Sequence, residues 1–317
     1  MATTAAKIPA KHVRRKLIFQ QHRKLFASYL VFVVAYAAFT LLPKPAPATL
    51  IRYHLTALGL RLISLTIIVL VAAIWSVAFY GFARLQSYAN MVRHQKDGAA
   101  VLTISHGIFL LALWLPVSEL VSAILGYTVT HHPTWLAATT IIDNYLNLAL
   151  PLAGFILIGK GARSLSGLVK RGYAYYVSNL LTLGVVYAGV TYTHLVVATE
   201  NRELVYHLSL WPILLTIIAP YIYMWFTGTI AAYEIYNYQR RVGGLLYQRS
   251  WRWLALGCGW LIATSIGFQF LTTLSPRLAS WSIYSLLVLI YALLAVLSVG
   301  FILIAVGTGR LQKIEEV

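Results

Sequence analysis

The chain is poor in charged residues, in acidic residues above all, and in cysteine. Only 10% of its 317 residues are charged, against about 25% in an average soluble protein. So few charges cannot cover a water-facing surface, and the composition therefore excludes an ordinary soluble domain. The single cysteine, Cys258, excludes an intrachain disulfide and a zinc or iron–sulfur site built from cysteines.

Hydrophobic residues, by contrast, make up 60% of the chain and fall into long runs. A run of about 20 apolar residues is what a helix needs to cross the hydrocarbon layer of a membrane. We therefore predict an all-α, polytopic transmembrane bundle of about eight spans, arranged as four helical hairpins. The predicted spans are 26–42, 61–83, 101–126, 135–159, 173–198, 208–233, 253–274 and 278–306.

The basic residues predict the orientation. The net charge of +17 would indicate nucleic acid in a soluble protein, but in a membrane protein it follows from the enrichment of Lys and Arg in cytoplasmic loops. Of the 25 Lys and Arg residues, twenty fall in the two termini and the even-numbered connections on one side. Both termini are therefore predicted to be cytoplasmic, with a basic arm at 1–25, one transmembrane domain at 26–306 and a tail at 307–317.

The N-terminal arm allows two further interpretations. Its cations are expected to bind anionic lipid headgroups, and no nucleic acid is expected, because no RNA-recognition fold accompanies them. A basic segment, an apolar stretch and Ala46-Pro47-Ala48 also imitate a cleaved secretory signal. The chain is expected in a bacterial inner membrane, with an organelle membrane as the alternative. The headgroup ligands are expected to be Arg14, Arg15, Lys16, Arg23 and Lys24.

Glycines recur where the even-numbered spans end. A glycine followed by small and basic residues suits close approach of two helices near the interface. The pattern also allows an internal repeat of about 75 residues (near 26–98, 99–172, 173–250 and 251–317), or convergence on one way of leaving the membrane. The glycines are Gly81, Gly159, Gly228 and Gly307.

Two carboxylates fall inside predicted spans, where ionisable groups are rare and functional by default. Glu119 lies about 10 Å and Asp143 about 12 Å from the outer end of adjacent helices, at 1.5 Å of rise per residue. If they face each other, both cannot easily ionise, so one holds a proton or a cation lies between them.

Other polar residues follow helical spacing in the outer half of the spans and predict a vestibule open to the outside. The alternative is hydrogen bonding between helices, without any ligand. Asn144, Asn147, His194 and Gln269 are predicted to line the path, and Ser122, Tyr187 and Thr191 are secondary candidates.

Nearer the cytoplasm, Glu234 is expected to pair in water with Arg240 and Arg241. Tryptophans and tyrosines at the span ends, including Tyr238 and Trp251, are expected to form an aromatic belt.

The sequence contains no catalytic motif and no soluble domain. This leaves an enzyme activity unsupported, and no metal or cofactor is expected. The leading hypothesis is a transport-type membrane protein that moves an ion or small solute through the vestibule. The alternative is a non-transporting sensor or a structural subunit, in a homo-oligomer or larger membrane complex, that signals to or assembles with a partner.

Overall fold

The computed structural model describes residues 23, 27, 29–38, 57–93, 95, 97–131, 136–166, 210–278 and 283–314. This part of the chain forms seven helices and contains no strand. The fifth predicted span, 173–198, lies outside the described residues. The helices are α1 (Tyr29–Ala38), α2 (Ala57–Met91), α3 (Gly98–His131), α4 (Leu136–Leu165), α5 (Leu210–Arg241), α6 (Leu245–Leu278) and α7 (Ile283–Ile314).

Four of these helices contain segments long and apolar enough to cross a membrane. In a bilayer the backbone must satisfy its own hydrogen bonds, and a continuous apolar helix does so. This supports the predicted class, a membrane-embedded helical bundle. The segments are Leu65–Met91, Gly98–Ser118, Leu148–Leu165 and Leu287–Leu311.

The outward faces of several helices are apolar and exposed. On α2, Leu62 and Val69 are exposed, as are Ile222 and Phe226 on α5 and Val288 on α7. Large apolar patches on a protein surface mark contact with a membrane or another protein. Stripes of this kind on three helices fit a bundle surrounded by lipid.

The six long helices pack in a closed cycle. Each of α2 to α7 packs against the next helix in sequence, and α7 packs back against α2. The short α1 lies against α2, where the Tyr29 hydroxyl donates to the Ala72 carbonyl oxygen at 2.5 Å and its ring meets Trp75 edge-on.

Short turns join the helices at the end of the bundle where the Lys and Arg residues cluster, which we call the basic end. Between α2 and α3 the Asp97 carbonyl accepts the amides of Ala100 and Val101 and starts the first turn of α3. Between α5 and α6 the backbone at Gly244 adopts φ of 92°, which glycine reaches without steric strain. The chain can therefore reverse here within three residues.

Helices α3 and α4 approach closely at a pair of glycines. A β-carbon placed on Gly107 would lie 2.6 Å from the Gly154 carbonyl oxygen and 2.7 Å from Ile158. Leu111 covers Gly154, and Gly161 lies against Ile104 and Ala100. Only glycine fits at these positions.

Helices α6 and α7 repeat this arrangement contact by contact. A β-carbon on Gly257 would lie 2.8 Å from the Gly300 carbonyl oxygen and 2.7 Å from Ile304. Leu261 covers Gly300, and Gly307 lies against Ser250 and Leu254. The two pairs of helices are related by fixed numerical offsets. Adding 150 to the contact positions of α3 gives those of α6: 100, 104, 107 and 111 become 250, 254, 257 and 261. Adding 146 to those of α4 gives those of α7: 154, 158 and 161 become 300, 304 and 307.

The same two offsets relate the contact between α7 and α2 to the contact between α4 and α5. Gly81 of α2 would place a β-carbon 3.3 Å from Ala305 of α7, and Gly159 of α4 would place one 3.5 Å from Ala231 of α5. Positions 81 and 231 differ by 150, and 159 and 305 by 146. We therefore divide the cycle into unit 1 (α2, α3 and α4) and unit 2 (α5, α6 and α7), which correspond helix by helix.

Identical stretches of sequence support this correspondence. Residues 154–158 and 300–304 both read GFILI, and residues 65–68 and 215–218 both read LTII. Phe155 and Phe301 are buried alike, at 2% and 1% exposure. The two units therefore repeat after about 150 residues, twice the length of the 75-residue repeat that the sequence of hairpins allowed. The 75-residue repeat stays a prediction.

The predicted close approach at the span-end glycines is confirmed at Gly81, Gly228 and Gly307, whereas at Gly159 a β-carbon would make an ordinary van der Waals contact. Beside the contacts given above, Gly228 would place a β-carbon 2.8 Å from Ile262. Small residues let helices pack backbone to backbone where lipid provides no hydrophobic drive for association.

Candidate functional site

The predicted path residues fall on three helices of the cycle and on one undescribed segment. Glu119 and Ser122 are in α3; Asp143, Asn144 and Asn147 are in α4; and Gln269 is in α6. For these six the structure describes the backbone but not the side chains. Tyr187, Thr191 and His194 lie outside the described residues.

The predicted lipid ligands fall mostly outside the described part of the chain. Arg23 is helical and exposed, as a headgroup ligand requires. Arg14, Arg15, Lys16 and Lys24 lie outside the described residues.

The packing of α3 on α4 has an antiparallel register. Residue 107 lies against residues 154 and 158. Residue 161 lies against residues 100 and 104. Moving up α3 therefore corresponds to moving down α4, one residue for one residue. Pro116 and Pro151 lie within these helices, and both helices continue through them.

The two units carry different polar residues at corresponding positions. Position 119 of α3 corresponds to 269 of α6, so Glu119 matches Gln269. Position 143 of α4 corresponds to 289 of α7, so Asp143 matches Leu289. Two residues selected separately from the sequence, Glu119 and Gln269, are thus equivalent in the two units.

At the basic end an ion pair joins the two units. Arg163 of α4 and Glu234 of α5 approach to 3.3 Å between Nε and Oε1, and Glu234 is 8% exposed. The prediction that Glu234 pairs in water with the arginines that follow it was wrong. Arg240 instead donates to the Tyr236 hydroxyl, and Arg241 donates to the Ser166 carbonyl oxygen at 3.0 Å.

An aromatic contact lies beside this ion pair. Tyr238 of α5 meets Trp251 of α6 edge-on, with ring centroids 5.1 Å apart. Trp251 is 1% exposed, so the predicted belt position at the membrane surface was wrong for this residue. Burial, and then the negative charge of Asp97, raise the pKa of Tyr238 from 10 to about 12, and the hydroxyl therefore stays protonated to higher pH than an ordinary tyrosine.

A buried tryptophan and a half-buried one occupy corresponding positions and were not predicted. Trp75 of α2 and Trp225 of α5 differ by 150 in number, and no hydrogen-bond partner of either indole nitrogen is found in the described structure. Sequence reasoning could have found them as the shared tryptophan seven residues after the LTII stretches.

The described residues offer no metal site. No group of three or more His, Cys, Asp or Glu residues in this part of the chain lies close enough to hold an ion.

Comparisons with known proteins find no relative. No family model, no curated protein and no solved structure matches this chain.

Proposed function

We propose that the protein is an integral membrane transporter that moves an ion or small solute through a path open to the outside. Glu119 and Asp143 are its proton- or cation-coupling pair, and Asn144, Asn147, His194 and Gln269 line the path. Eight spans with both termini in the cytoplasm of a bacterial cell form the bundle.

The observation that carries this proposal is the pair of corresponding three-helix units. Many transporters consist of two repeats, and their substrate sites lie at the interface between the repeats near the middle of the membrane. Glu119 and Gln269 occupy corresponding positions of the two units. A site that draws one polar residue from each unit is what this architecture favours.

The register of α3 and α4 supports the carboxylate pair. Extending the described contacts toward the end opposite the basic end brings position 119 level with position 143. Two carboxyl groups at one level of adjacent helices share a proton or bind a cation, because two negative charges at short distance in a medium of low dielectric repel strongly.

The contacts at the basic end support an outward-facing state. The clustering of Lys and Arg supports a cytoplasmic location for this end. There the Arg163–Glu234 pair and the Tyr238–Trp251 contact join helices with buried side chains. A path closed at this end and polar at the other would be open to the outside.

Such a pair couples transport by changing its protonation. From the outside, the ionised carboxylate takes up a proton or cation, which removes a charge that is costly inside the membrane. The neutralised bundle can then rearrange and release the proton or cation on the cytoplasmic side. The side-chain amides of the asparagines and Gln269 would orient the ligand by hydrogen bonding.

The test is flux into proteoliposomes that contain the purified chain, under imposed gradients of pH and potential. We expect proton or cation flux in the parent and its loss in Glu119→Gln and Asp143→Asn. Glu315→Gln, which removes a carboxylate from the C-terminal tail, is the matched control and should retain the parent flux. A parent without flux would contradict ion coupling and favour the sensor or subunit alternative.

A further inference from the structure

The boundary between α4 and α5 has a buried ionic contact at its basic end. Arg163 and Glu234 are 24% and 11% exposed at their side chains and approach to 3.3 Å. A carboxylate taken out of water is stable only while it is paired. Glu234 therefore depends on a partner that belongs to the other unit.

A second contact strengthens the same boundary. Arg241 lies two helical turns beyond Glu234 on α5, and its Nη1 donates to the Ser166 carbonyl oxygen just past the end of α4. Carbonyl oxygens at a helix end have no partner within the helix, and a cation satisfies them well. Together, Glu234 and Arg241 hold the last turn of α4, residues 163–166.

The corresponding boundary of the cycle cannot form this contact. Between α7 and α2 the position of Arg163 is taken by Gly309, and that of Glu234 by Arg84. The backbone approach is nonetheless similar, at Gly81 and Ala305. The two boundaries thus share their packing, but Gly309 and Arg84 cannot form the equivalent of the Arg163–Glu234 pair.

We propose that Arg163, Glu234 and Arg241 form a cytoplasmic latch, which holds the α4–α5 boundary closed and opens to release the transported solute. The inference rests on the proposed transport function. A buried ion pair gains about as much from mutual attraction as it loses from desolvation. The closed state with the pair buried and the open state with both groups in water are therefore close in free energy, as a reversible gate requires. The α7–α2 boundary remains packed and serves as the hinge.

The test measures the boundary directly, independent of flux. Spin labels on cysteines at Ser164 of α4 and Tyr233 of α5, in a Cys258→Ala background, report the distance across the latch in lipid nanodiscs. Labels at Arg310 of α7 and Ala83 of α2, the corresponding positions, report the hinge. We expect the short distance to predominate at the latch in the parent, with the open state as a minor population.

Glu234→Gln should enlarge the longer-distance population at the latch and leave the hinge distance unchanged. The charge swap Arg163→Glu with Glu234→Arg should restore the short distance, because the attraction is the same with the signs exchanged. If Glu234→Gln fails to fold, Arg241→Ala, which removes only the carbonyl contact, should still enlarge the longer-distance population to a smaller extent.

Two results would overturn the latch. The first is a distance distribution in Glu234→Gln that equals that of the parent, or the same result in Arg241→Ala if Glu234→Gln does not fold. The second is a charge-swap variant in which the enlarged longer-distance population remains. A distance change in a chain without flux would keep the latch as a moving boundary and reject transport instead. Flux without a distance change would keep transport and reject the latch.

Discussion

The two units of the bundle pack alike and differ in their polar chemistry. Between α3 and α4, and again between α6 and α7, glycine pairs, covering leucines and buried phenylalanines recur at fixed offsets. The carboxylates do not recur, because the residues that correspond to Glu119 and Asp143 are Gln269 and Leu289. The packing contacts thus occur in both units, while the two carboxylates occur in unit 1 only.

This difference indicates where function resides. A residue needed for packing is needed in both units, because both make the same contacts. A costly charged residue in one unit has no such explanation. The units differ in charge at positions 119 and 143, the proposed coupling pair, and at the Arg163–Glu234 boundary, the proposed latch.

The largest expected effect tests the shared core. Phe155→Ala and Phe301→Ala should each destabilise the protein by about 3 kcal/mol, since each removes a fully buried ring. Ile302→Ala, on the same helix but 45% exposed, should cost much less. Thermal unfolding in detergent measures all three, and a harmless Phe301→Ala beside a damaging Phe155→Ala would break the equivalence of the units.

A smaller effect is expected at the glycine pairs. Gly107→Ala and Gly257→Ala should each cost about 1–3 kcal/mol, because the added methyl group would overlap the facing helix. Gly259→Ala is the matched control, since its β-carbon would have no neighbour within 4 Å. Unfolding in detergent again gives the measurement, and equal stability of Gly257→Ala and Gly259→Ala would contradict the close packing.

The ion pair should show a coupling energy at one boundary. In a double-mutant cycle, Arg163→Gln and Glu234→Gln should couple by about 1 kcal/mol, because the groups are in contact and mostly buried. Arg84, which takes the position of Glu234 at the other boundary, provides the comparison: Arg84→Gln should not couple to Arg163→Gln. Additive effects of the two latch substitutions would show that the pair does not contribute to stability.

The smallest effect concerns alkaline pH. Since burial and Asp97 raise the pKa of Tyr238 from 10 to about 12, the unfolded chain ionises this group at lower pH than the folded protein. Stability is therefore fully retained below pH 10 and falls as the pH rises from 10 toward 12. Tyr238→Phe should flatten this fall in a series of melting temperatures, whereas Tyr233→Phe, on an exposed face, should leave it unchanged.

The sequence predicted the six long described helices well because long apolar runs leave a chain few alternatives in a membrane. Several of them extend beyond a predicted limit: α2 covers 57–91 where 61–83 was expected, and α5 reaches Arg241 instead of 233. In contrast, α7 begins at Ile283 where 278 was expected. Hydrogen bonding along a helix continues into the polar interface, where the hydropathy signal has already ended. The tight glycine contacts were also predictable, since small residues at span ends have few other roles there.

Contacts between distant helices could not be predicted from local spacing. Glu234 was assigned to the arginines that follow it, but its partner Arg163 comes from another helix. Trp251 was assigned to the membrane surface, because an aromatic at a span end looks the same in sequence whether it faces lipid or a neighbouring helix. The offset of 150 was legible in the two LTII stretches and that of 146 in the two GFILI stretches, whereas the hairpin pattern indicated a repeat of only about half that length.

The central claim is that the carboxylate pair in unit 1 couples transport, and its most direct test moves that pair between the units. Proton or cation flux into proteoliposomes would be compared for the parent, Glu119→Gln, and a variant that moves both carboxylates to unit 2 (Glu119→Gln, Asp143→Leu, Gln269→Glu and Leu289→Asp). We expect flux in the parent, none in the single variant, and partial recovery in the variant where both carboxyl groups return at the corresponding positions. Absence of flux in the parent, or undiminished flux in Glu119→Gln, would contradict it.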